Sequence, residues 1–286
     1  MIDPATPIGV VGLGAMGGAF ARNLLRDGFS VMVFDLNVDA VAQAVGAGAR
    51  AATGIVDLAT ECSVVSVVVV DEEQADGVLL GSNDDGLLAS AQPGTIVMVH
   101  STVGPQAMAR YLHEAEANGI DLLDVPMVGG PSAARDGTLV LLVAGDRVAV
   151  NEVRPVLDCL SREFVTFRQV GQAQVVKLAS NMILAINLQA VREATALAEQ
   201  SGVAPDELLE VLAKGSGDSW VLRNWRALGT AAANYSGGVH AAARLTVKDL
   251  NLAMREAKDG GESLPLTALA AAECAEAYAA AARTKV

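Results

Sequence analysis

The stretch Ile8-Gly9-Val10-Val11-Gly12-Leu13-Gly14-Ala15-Met16-Gly17 decides the fold of this chain. Its apolar, β-branched start predicts a buried strand, and its end matches the pattern G-x-G-x-x-G. Apolar residues with helical spacing follow at Phe20, Leu24 and Leu25. A strand, a glycine-rich turn and a helix in this order are typical of a dinucleotide-binding unit, because the helix N-terminus attracts a pyrophosphate.

Each glycine of this loop has an expected task. Gly12 allows the tight turn, Gly14 lets a pyrophosphate approach the backbone, and Gly17 permits close packing of the helix on the sheet. The whole loop is therefore predicted to bind the cofactor, including the residues between the glycines, which are Leu13, Ala15 and Met16.

Further strand candidates alternate with helical patterns in the first half of the chain. They cover Val31–Phe34, 64–70, 95–99, Asp121–Asp124 and 139–143. The valine run at 64–70 is typical of a central strand that is buried on both faces. Strands separated by helices predict a parallel sheet with right-handed crossovers, that is, an α/β domain of the Rossmann type over residues 1–168.

The second half of the chain differs in composition and periodicity. A long apolar-periodic stretch reaches from Val175 to Gln200 between Gly171 and Gly202, and alanine- and leucine-rich helical patterns follow it. We predict an all-α domain over residues 169–286, joined to the first domain by a long helix. This domain is expected to take part in substrate binding and oligomerisation.

The composition of the 286 residues narrows the functional classes. Hydrophobic residues make up 52%, and 20 basic against 33 acidic residues give a net charge of −13. An acidic surface disfavours nucleic acid and anionic lipid, so neither is expected as a partner. The three cysteines have no zinc or disulfide spacing, and no secretory signal is evident, which predicts a metal-free cytoplasmic protein with buried thiols.

Asp35 follows the second predicted strand, where a dinucleotide-binding unit reads the adenosine ribose. Its carboxylate would accept hydrogen bonds from the ribose hydroxyls and would repel a 2′-phosphate. Leu36 and Asn37 come next, so neither of the two following residues is a cation that could bind that phosphate. The sequence therefore favours NAD over NADP.

Four blocks of the sequence, in this order, resemble the β-hydroxyacid dehydrogenase family, which includes 3-hydroxyisobutyrate dehydrogenase and tartronate semialdehyde reductase. The resemblance covers nearly the whole chain and implies a Rossmann-type domain, a helical domain, and a homodimer or homotetramer. The blocks are the loop Gly12 to Gly17, Asp124-Val125-Pro126-Met127-Val128-Gly129-Gly130, Gly171 with Lys177-Leu178-Ala179-Ser180-Asn181, and Lys248-Asp249-Leu250.

The third block carries the expected chemistry. Lys177 and Asn181 are four residues apart and would share one face of a helix. A positioned ammonium can stabilise charge on a carbonyl oxygen and donate a proton, and the neutral amine can take the proton back. The resemblance implies Lys177 as the general acid/base and Asn181 as a ligand of the substrate hydroxyl. Lys248 is expected near the cofactor, where its charge would lower the pKa of Lys177.

The resemblance also marks a substrate loop at Val128, Gly129 and Gly130. The family usually has a serine where this chain has Val128, so a carboxylate would be held by backbone N–H groups and by other donors nearby. Ser101 and Thr102 match a family pair expected at the nicotinamide ribose. His100 stands just before them, and we assign it a structural role because Lys177 already fills the acid/base place.

The predicted function is hydride transfer between NAD and a small 3-hydroxy acid similar to 3-hydroxyisobutyrate or tartronate semialdehyde. Two alternatives are open at this point. One is an imine or other carbonyl reductase on the same two-domain plan, and the other is a non-catalytic NAD-binding module. The retained residues Lys177, Asn181 and Lys248 argue against both.

Overall fold

The structure is a computed structural model that describes residues 6–82 and 85–284. It divides into two compact units, Met1–Lys177 and Leu178–Val286. The boundary predicted from the sequence, between residues 168 and 169, lies close to this division. The division itself falls within one long helix, which the sequence predicted as the connection.

The first unit is built on one sheet, which has nine strands among the described residues. The strand order is β3-β2-β1-β4-β5-β6-β8-β7, and β9 pairs with β8. The strands are β1 (Ile8–Val11), β2 (Val31–Phe34), β3 (Arg50–Ala51), β4 (Val64–Val67), β5 (Ile96–Val99), β6 (Asp121–Asp124), β7 (Met127–Val128), β8 (Leu139–Ala144) and β9 (Ser161–Phe167).

The Rossmann-type part of the sheet comprises β1 to β6, and every pairing among these six strands is parallel. The predicted parallel sheet is confirmed there. The expectation was wrong at β8, which pairs antiparallel with both β6 and β7. The short β7 and the parallel partner β9 were not predicted. Only two residues form β7, and exposed residues dominate β9, so neither carries the apolar run that marks a buried strand.

The valine run ends as a strand earlier than predicted. Strand β4 stops at Val67, although the apolar run continues to Val70. Val68 still donates its N–H to Val11 O, and Val69 then donates to the Ser101 hydroxyl. The last valines therefore form a loop at the carboxyl end of the sheet, where ligands of open α/β sheets bind.

Nine helices lie wholly in the first unit as it is described. They are α1 (Gly17–Arg26), α2 (Val38–Gly46), α3 (Ile55–Glu61), α4 (Glu72–Leu79), α5 (Leu87–Ser90), α6 (Pro105–Ala117), α7 (Gly130–Asp136), α8 (Arg147–Glu152) and α9 (Arg154–Leu160). Two apolar cores form, one containing Phe20, Leu24 and Met98, the other containing Leu58, Met108 and Tyr111. Burial of these side chains stabilises the unit by about 1.5–3 kcal/mol for each large aliphatic group.

Helix α10 (Gln172–Gln200) crosses the division between the units, and the remaining described elements are helices too. They are α11 (Pro205–Leu212), α12 (Trp220–Arg223), α13 (Trp225–Ala233), α14 (Gly238–Asp259), α15 (Pro265–Ala272) and α16 (Cys274–Arg283). The core of the second unit is built around Leu188, Trp225 and Tyr278. The predicted helical second half is confirmed.

Helix α10 is also the one helix among residues 6–82 and 85–284 that is long and apolar enough to cross a membrane by length and composition. The helix carries Lys177, Asn181 and Gln189, and a core helix of a soluble protein meets the same criterion. This finding is weak evidence for a membrane span.

The three cysteines, Cys62, Cys159 and Cys274, are buried and unpaired with one another, as predicted. Burial raises the pKa of the Cys62 thiol to about 12, and the pKa of Cys159 is raised to the same value mainly for the same reason. At neutral pH these thiols are therefore uncharged and poor nucleophiles.

Candidate active site

The glycine loop has the geometry expected of a phosphate-binding turn. Gly12 adopts a φ of 87°, and a Cβ there would lie 2.4 Å from Val68 O. A Cβ at Gly17 would lie 1.9 Å from Gly12 O, so the helix can approach the strand only without a side chain. A Cβ at Gly14 would meet no atom within 4 Å, which leaves open space on the ligand side. Helix α1 begins there with no side-chain cap, so its first N–H groups can bind an anion.

Asp35 lies at the carboxyl end of β2 and holds the glycine loop in place. Its Oδ2 accepts a hydrogen bond from the Leu13 N–H at 2.5 Å, and its Oδ1 accepts from the Asn37 N–H at 2.7 Å. A carboxylate has about four lone-pair sites, so it can still accept hydrogen bonds from ribose hydroxyls. Asn37 caps helix α2 through its side chain, which accepts from Asp39 and Ala40.

The loop after β5 is fixed through Ser101. Its hydroxyl donates to Val69 O and accepts from Val69 N–H, both at 2.9 Å. Its one proton is thus used within the protein, while the hydroxyl oxygen has a second lone pair that can accept from a ribose hydroxyl, so the expected place of Ser101 at the nicotinamide ribose stays a prediction. Thr102 is the next residue, is half-buried, and keeps its predicted role as a cofactor contact.

His100 has a buried, structural environment, as its assignment predicted. Its Nδ1 lies 3.0 Å from Val125 O and its Nε2 lies 3.3 Å from Ser66 Oγ. The ring also packs edge-on against Phe20, with the ring centroids 5.0 Å apart. Burial lowers the pKa of His100 to about 4, so the imidazole is neutral at physiological pH.

A cluster that the sequence analysis missed surrounds Asp124 and Gln174. Both side chains are buried. Asp124 Oδ2 accepts from the N–H groups of Gly171 at 2.9 Å and Gln174 at 3.3 Å, and its Oδ1 accepts from Gln174 Nε2 at 2.8 Å. The carboxylate thus binds the backbone at the start of helix α10. Burial raises the pKa of Asp124 to about 6, although these hydrogen bonds act in the opposite direction.

Gln174 extends this cluster to the loop after β5. Its Oε1 accepts from Val103 N–H at 3.1 Å, and its Nε2 also donates to Ser101 O at 3.1 Å. The sequence offered one signal, which is a glutamine on the apolar stretch between Ala173 and Val175. A buried polar side chain needs hydrogen-bond partners, so such a residue points to a specific network.

Lys177 and Asn181 lie on helix α10, one turn apart, as the spacing predicted. Lys177 belongs to the first unit, three residues beyond Gln174, and is half-buried. Asn181 belongs to the second unit, where its Nδ2 donates to Asp249 Oδ2 at 2.6 Å. One N–H of this amide is therefore bound within the second unit.

Lys248 forms an ion pair with its neighbour Asp249, with Nζ and Oδ1 2.7 Å apart. Asp249 is buried, and its Oδ1 has no hydrogen bond of normal geometry among the described residues, so charge attraction dominates this contact. The expected effect of the Lys248 charge on Lys177 stays a prediction. The expected contact between Lys248 and the cofactor stays a prediction.

The predicted substrate loop lies in and after β7. Val128 packs with an apolar cluster that contains Leu142, Ala144 and Ala173. Gly129 and Gly130 are exposed, with φ values of 134° and 71° that a side chain would strain. A Cβ at Gly130 would meet no atom within 4 Å, so there is room for a ligand beside this backbone.

The residues of the first unit fit a nicotinamide dinucleotide. The space beside Gly14 accepts a pyrophosphate, the uncapped start of α1 offers N–H donors, and Asp35 has lone pairs for ribose hydroxyls. No group of three or more His, Cys, Asp or Glu side chains that could hold a metal occurs in the described part of the chain.

Comparisons with known proteins agree with this geometry. Residues 7–171 match the family model described as the NAD binding domain of 6-phosphogluconate dehydrogenase. Residues 171–285 match the model described as NAD-binding of NADP-dependent 3-hydroxyisobutyrate dehydrogenase. The chain therefore has the two parts of a nicotinamide-dependent dehydrogenase.

Two relatives from Pseudomonas aeruginosa cover most of the chain. NAD-dependent L-serine dehydrogenase is 35% identical over 92% of this chain and 89% of its own length. A 3-hydroxyisobutyrate dehydrogenase is 36% identical over 93% and 90%, respectively. The solved structure of Mycobacterium tuberculosis 3-hydroxyisobutyrate dehydrogenase with L-serine superimposes with a TM-score of 0.85 at 26% identity, covering 99% of this chain and 100% of that one.

The protein is thus an oxidoreductase that uses a nicotinamide cofactor. It belongs to the β-hydroxyacid dehydrogenase family, which confirms the resemblance seen in the four sequence blocks. The non-catalytic alternative is not supported, because both of these relatives, each matched over more than nine tenths of the chain, are named dehydrogenases.

Proposed function

We propose that the protein transfers a hydride between NAD and the 3-position of a small hydroxy acid, with Lys177 as the general acid/base. The observation that carries this proposal is the placement of Lys177 on helix α10. The first turn of this helix is bound to the carboxyl end of the sheet through Asp124, and Asn181 follows one turn later. Ligands of open α/β sheets bind at that end of the sheet.

In the oxidation direction, the neutral Lys177 amine accepts the hydroxyl proton as the hydride leaves carbon. In reduction, the ammonium returns this proton to the developing alkoxide and stabilises its charge. Asn181 holds the substrate by donating its second amide N–H to the hydroxyl oxygen, since its other N–H is bound to Asp249 and the hydroxyl proton goes to Lys177. The cofactor, when bound, accepts or supplies the hydride.

We further propose a preference for NAD over NADP. The two family descriptions and the relatives name both cofactors, so the preference rests on Asp35. A negative carboxylate at the adenosine ribose repels a 2′-phosphate, and the following residues Leu36 and Asn37 supply no cation.

The substrate class follows from chemistry that the named relatives share. L-Serine and 3-hydroxyisobutyrate are both 3-hydroxy acids with a short chain. In this protein, Gly129 and Gly130 would offer backbone N–H groups to the carboxylate. The side chain of Val128 packs with apolar residues and cannot donate a hydrogen bond. Reduction of an imine, the open alternative, is less well supported because these relatives act on hydroxy acids.

We also propose that the protein works in the cytoplasm as a homodimer or homotetramer. Its net charge of −13 disfavours binding to nucleic acid or to an anionic membrane. Size-exclusion chromatography with light scattering at enzyme concentrations used for assays tests the oligomeric state.

The central experiment measures NADH formation with a panel of 3-hydroxy acids for wild type and Lys177→Ala. We expect kcat to fall by about 10²–10⁴-fold, the usual contribution of a general acid/base. Lys214→Ala is the control, because Lys214 is an exposed lysine just after helix α11 that forms an ion pair with Glu210. NADH binding should persist in both variants, and substantial turnover by Lys177→Ala would refute the assigned role.

A second experiment tests the cofactor preference by changing Asp35 to Ser. The ratio of kcat/KM for NAD over that for NADP should fall by at least about tenfold, since one charge repulsion and one ribose contact are lost. Gly14→Ala is a useful companion, because its Cβ would enter open space and should weaken both cofactors without altering the fold. An unchanged ratio in Asp35→Ser would show that this carboxylate does not read the ribose.

A further inference from the structure

We propose that Gln174 is a positioning residue, which holds the loop 101–103 and the helix that carries Lys177 in a fixed register. This inference rests on the proposed role of Lys177. It assigns a task to a side chain that contacts neither substrate nor cofactor in the proposed mechanism.

The side-chain amide of Gln174 forms hydrogen bonds through both its oxygen and its nitrogen. Its Oε1 accepts from Val103 N–H, and its Nε2 donates both to Ser101 O and to Asp124 Oδ1. The amide thus uses one acceptor and both donors, and the side chain is fully buried. A buried amide with this many partners has one allowed orientation, because any rotation leaves a donor or acceptor unsatisfied.

The partners of Gln174 flank the expected cofactor contact. Ser101 O and Val103 N–H lie on the two sides of Thr102, so the glutamine side chain binds the loop backbone on either side of that residue. The loop is held from its other face by the Ser101 hydroxyl, which bonds to Val69. Thr102 can therefore shift little while both sets of hydrogen bonds persist.

The same residue is part of the helix that carries the acid/base. Lys177 is three residues after Gln174, which places the two side chains on neighbouring positions of helix α10. Asp124 binds the backbone N–H of Gln174 as well as its side chain, so helix and loop share one buried carboxylate. A displacement of about 1 Å between reacting groups can cost roughly 10²-fold in rate, so such a register matters for hydride transfer.

The test compares Gln174→Met with Gln189→Met. Gln189 is also a buried glutamine on α10, but among the described residues its Nε2 has no hydrogen-bond partner, and its Oε1 accepts from the neighbouring Arg192. Methionine has a similar length and no amide. We expect kcat to fall by about 10²-fold in Gln174→Met and by less than about twofold in Gln189→Met. The KM for the hydroxy acid should change by less than about threefold, because Gln174 does not bind it.

Gln174→Glu provides rescue by a conservative change. It keeps an oxygen for Val103 N–H, and two buried carboxyl groups beside each other share a proton that restores one donor. We expect kcat to recover to within about tenfold of wild type, while the melting temperature of Gln174→Glu is no higher than that of Gln174→Met. If Gln174 only filled space, kcat would follow stability, and Gln174→Glu would have a kcat no higher than that of Gln174→Met. That result would overturn the proposal.

Lys177→Ala separates the two possible failures. If Lys177→Ala remains active, the proposed function fails. If Lys177→Ala is inactive but Gln174→Met, measured per folded enzyme, matches Gln189→Met in kcat, only the role of Gln174 fails. Should Gln174→Met not fold, Gln174→Asn, whose amide is one methylene too short to reach both the loop and Asp124, is compared with Gln189→Asn, and equal kcat values for these two variants would also overturn the proposal.

Discussion

Asp124 in the first unit and Asp249 in the second are both buried carboxylates that bind helix α10, yet their partners differ in kind. Asp124 accepts from uncharged N–H groups, among them those of Gly171 and Gln174. Asp249 binds the Asn181 amide and the Lys248 ammonium. The negative charge of Asp124 is therefore stabilised by dipoles, and that of Asp249 by an opposite charge.

This difference shows two ways to fix a functional helix. Dipoles from several directions hold Asp124 and Gln174 in one geometry, but they compensate poorly for the loss of water around the carboxylate, so the pKa of Asp124 rises to about 6. The ion pair of Asp249 balances the charge locally, and the Lys248 side chain, 23% exposed, still reaches water. We expect the Asp124 cluster to be the more sensitive to substitution and to pH.

The largest expected effect is on stability when the carboxylates are removed. Asp124→Ala should lower the free energy of unfolding by about 4 kcal/mol. It leaves several buried N–H donors without partners, at about 1–3 kcal/mol each, and removing the buried charge offsets only part of this loss. Asp249→Ala should cost about 2 kcal/mol, since water can reach part of the Lys248 side chain. Urea denaturation followed by circular dichroism at pH 7 measures both, and a larger loss for Asp249→Ala would reverse the comparison.

The next effect concerns His100, a buried titratable residue whose ring contacts Val125, the residue after Asp124. Its pKa is about 4 in the folded protein against 6.5 for the free side chain. The unfolded chain therefore binds more protons in this window, and stability is lost as pH falls from 6.5 through 4, by about 3 kcal/mol. His100→Gln keeps an amide donor for Val125 O and removes the titration. Its unfolding free energy, measured from pH 4 to 7, should lack this contribution, and an identical pH dependence to wild type would contradict the prediction.

Asp124 should show the opposite sign. Its folded pKa of about 6 exceeds the ordinary value of 3.8, so the folded protein binds more protons between these values. The stabilisation is complete below pH 3.8 and is lost as pH rises through 6, by about 3 kcal/mol.

Because the His100 and Asp124 contributions oppose each other, wild type should be nearly flat in this range. Asp124→Asn should then gain stability as pH rises relative to wild type, and His100→Gln should lose it. The same denaturation series measures both slopes, and two variants that slope in one direction would refute the assignment.

Much of this architecture could be predicted from the sequence, since the signals are local. The glycine loop, the valine-rich strand and the long periodic helix each carry their pattern within one element. The roles of Gly12 and Gly17 followed from the motif and agree with the backbone contacts that a Cβ would make. The alternation of strands and helices indicated a parallel sheet, which is correct for β1 to β6.

What escaped prediction depends on contacts between distant parts of the chain. The antiparallel pairing of β8 depends on the direction in which the chain re-enters the sheet, and no residue in 139–143 indicates that direction. Gln174 was missed because its partners, Ser101, Val103 and Asp124, are remote in sequence. The hydrogen bonds between the Ser101 hydroxyl and Val69 were also not predicted, because only the fold brings these two residues together.

The smallest expected effect separates charge from hydrogen bonding at Asp249. Asp249→Asn keeps a carbonyl oxygen for the Asn181 N–H and removes only the ion pair with Lys248. Because Lys248 is partly exposed, water screens the pair, and we expect a loss of about 1 kcal/mol or less in the free energy of unfolding. The difference from wild type should shrink in high salt, which screens the ion pair but not the retained hydrogen bond. If Asp249→Asn instead cost as much as Asp249→Ala and this cost did not shrink in high salt, screened charge attraction would not account for the loss, and charge would not be what distinguishes the two carboxylates.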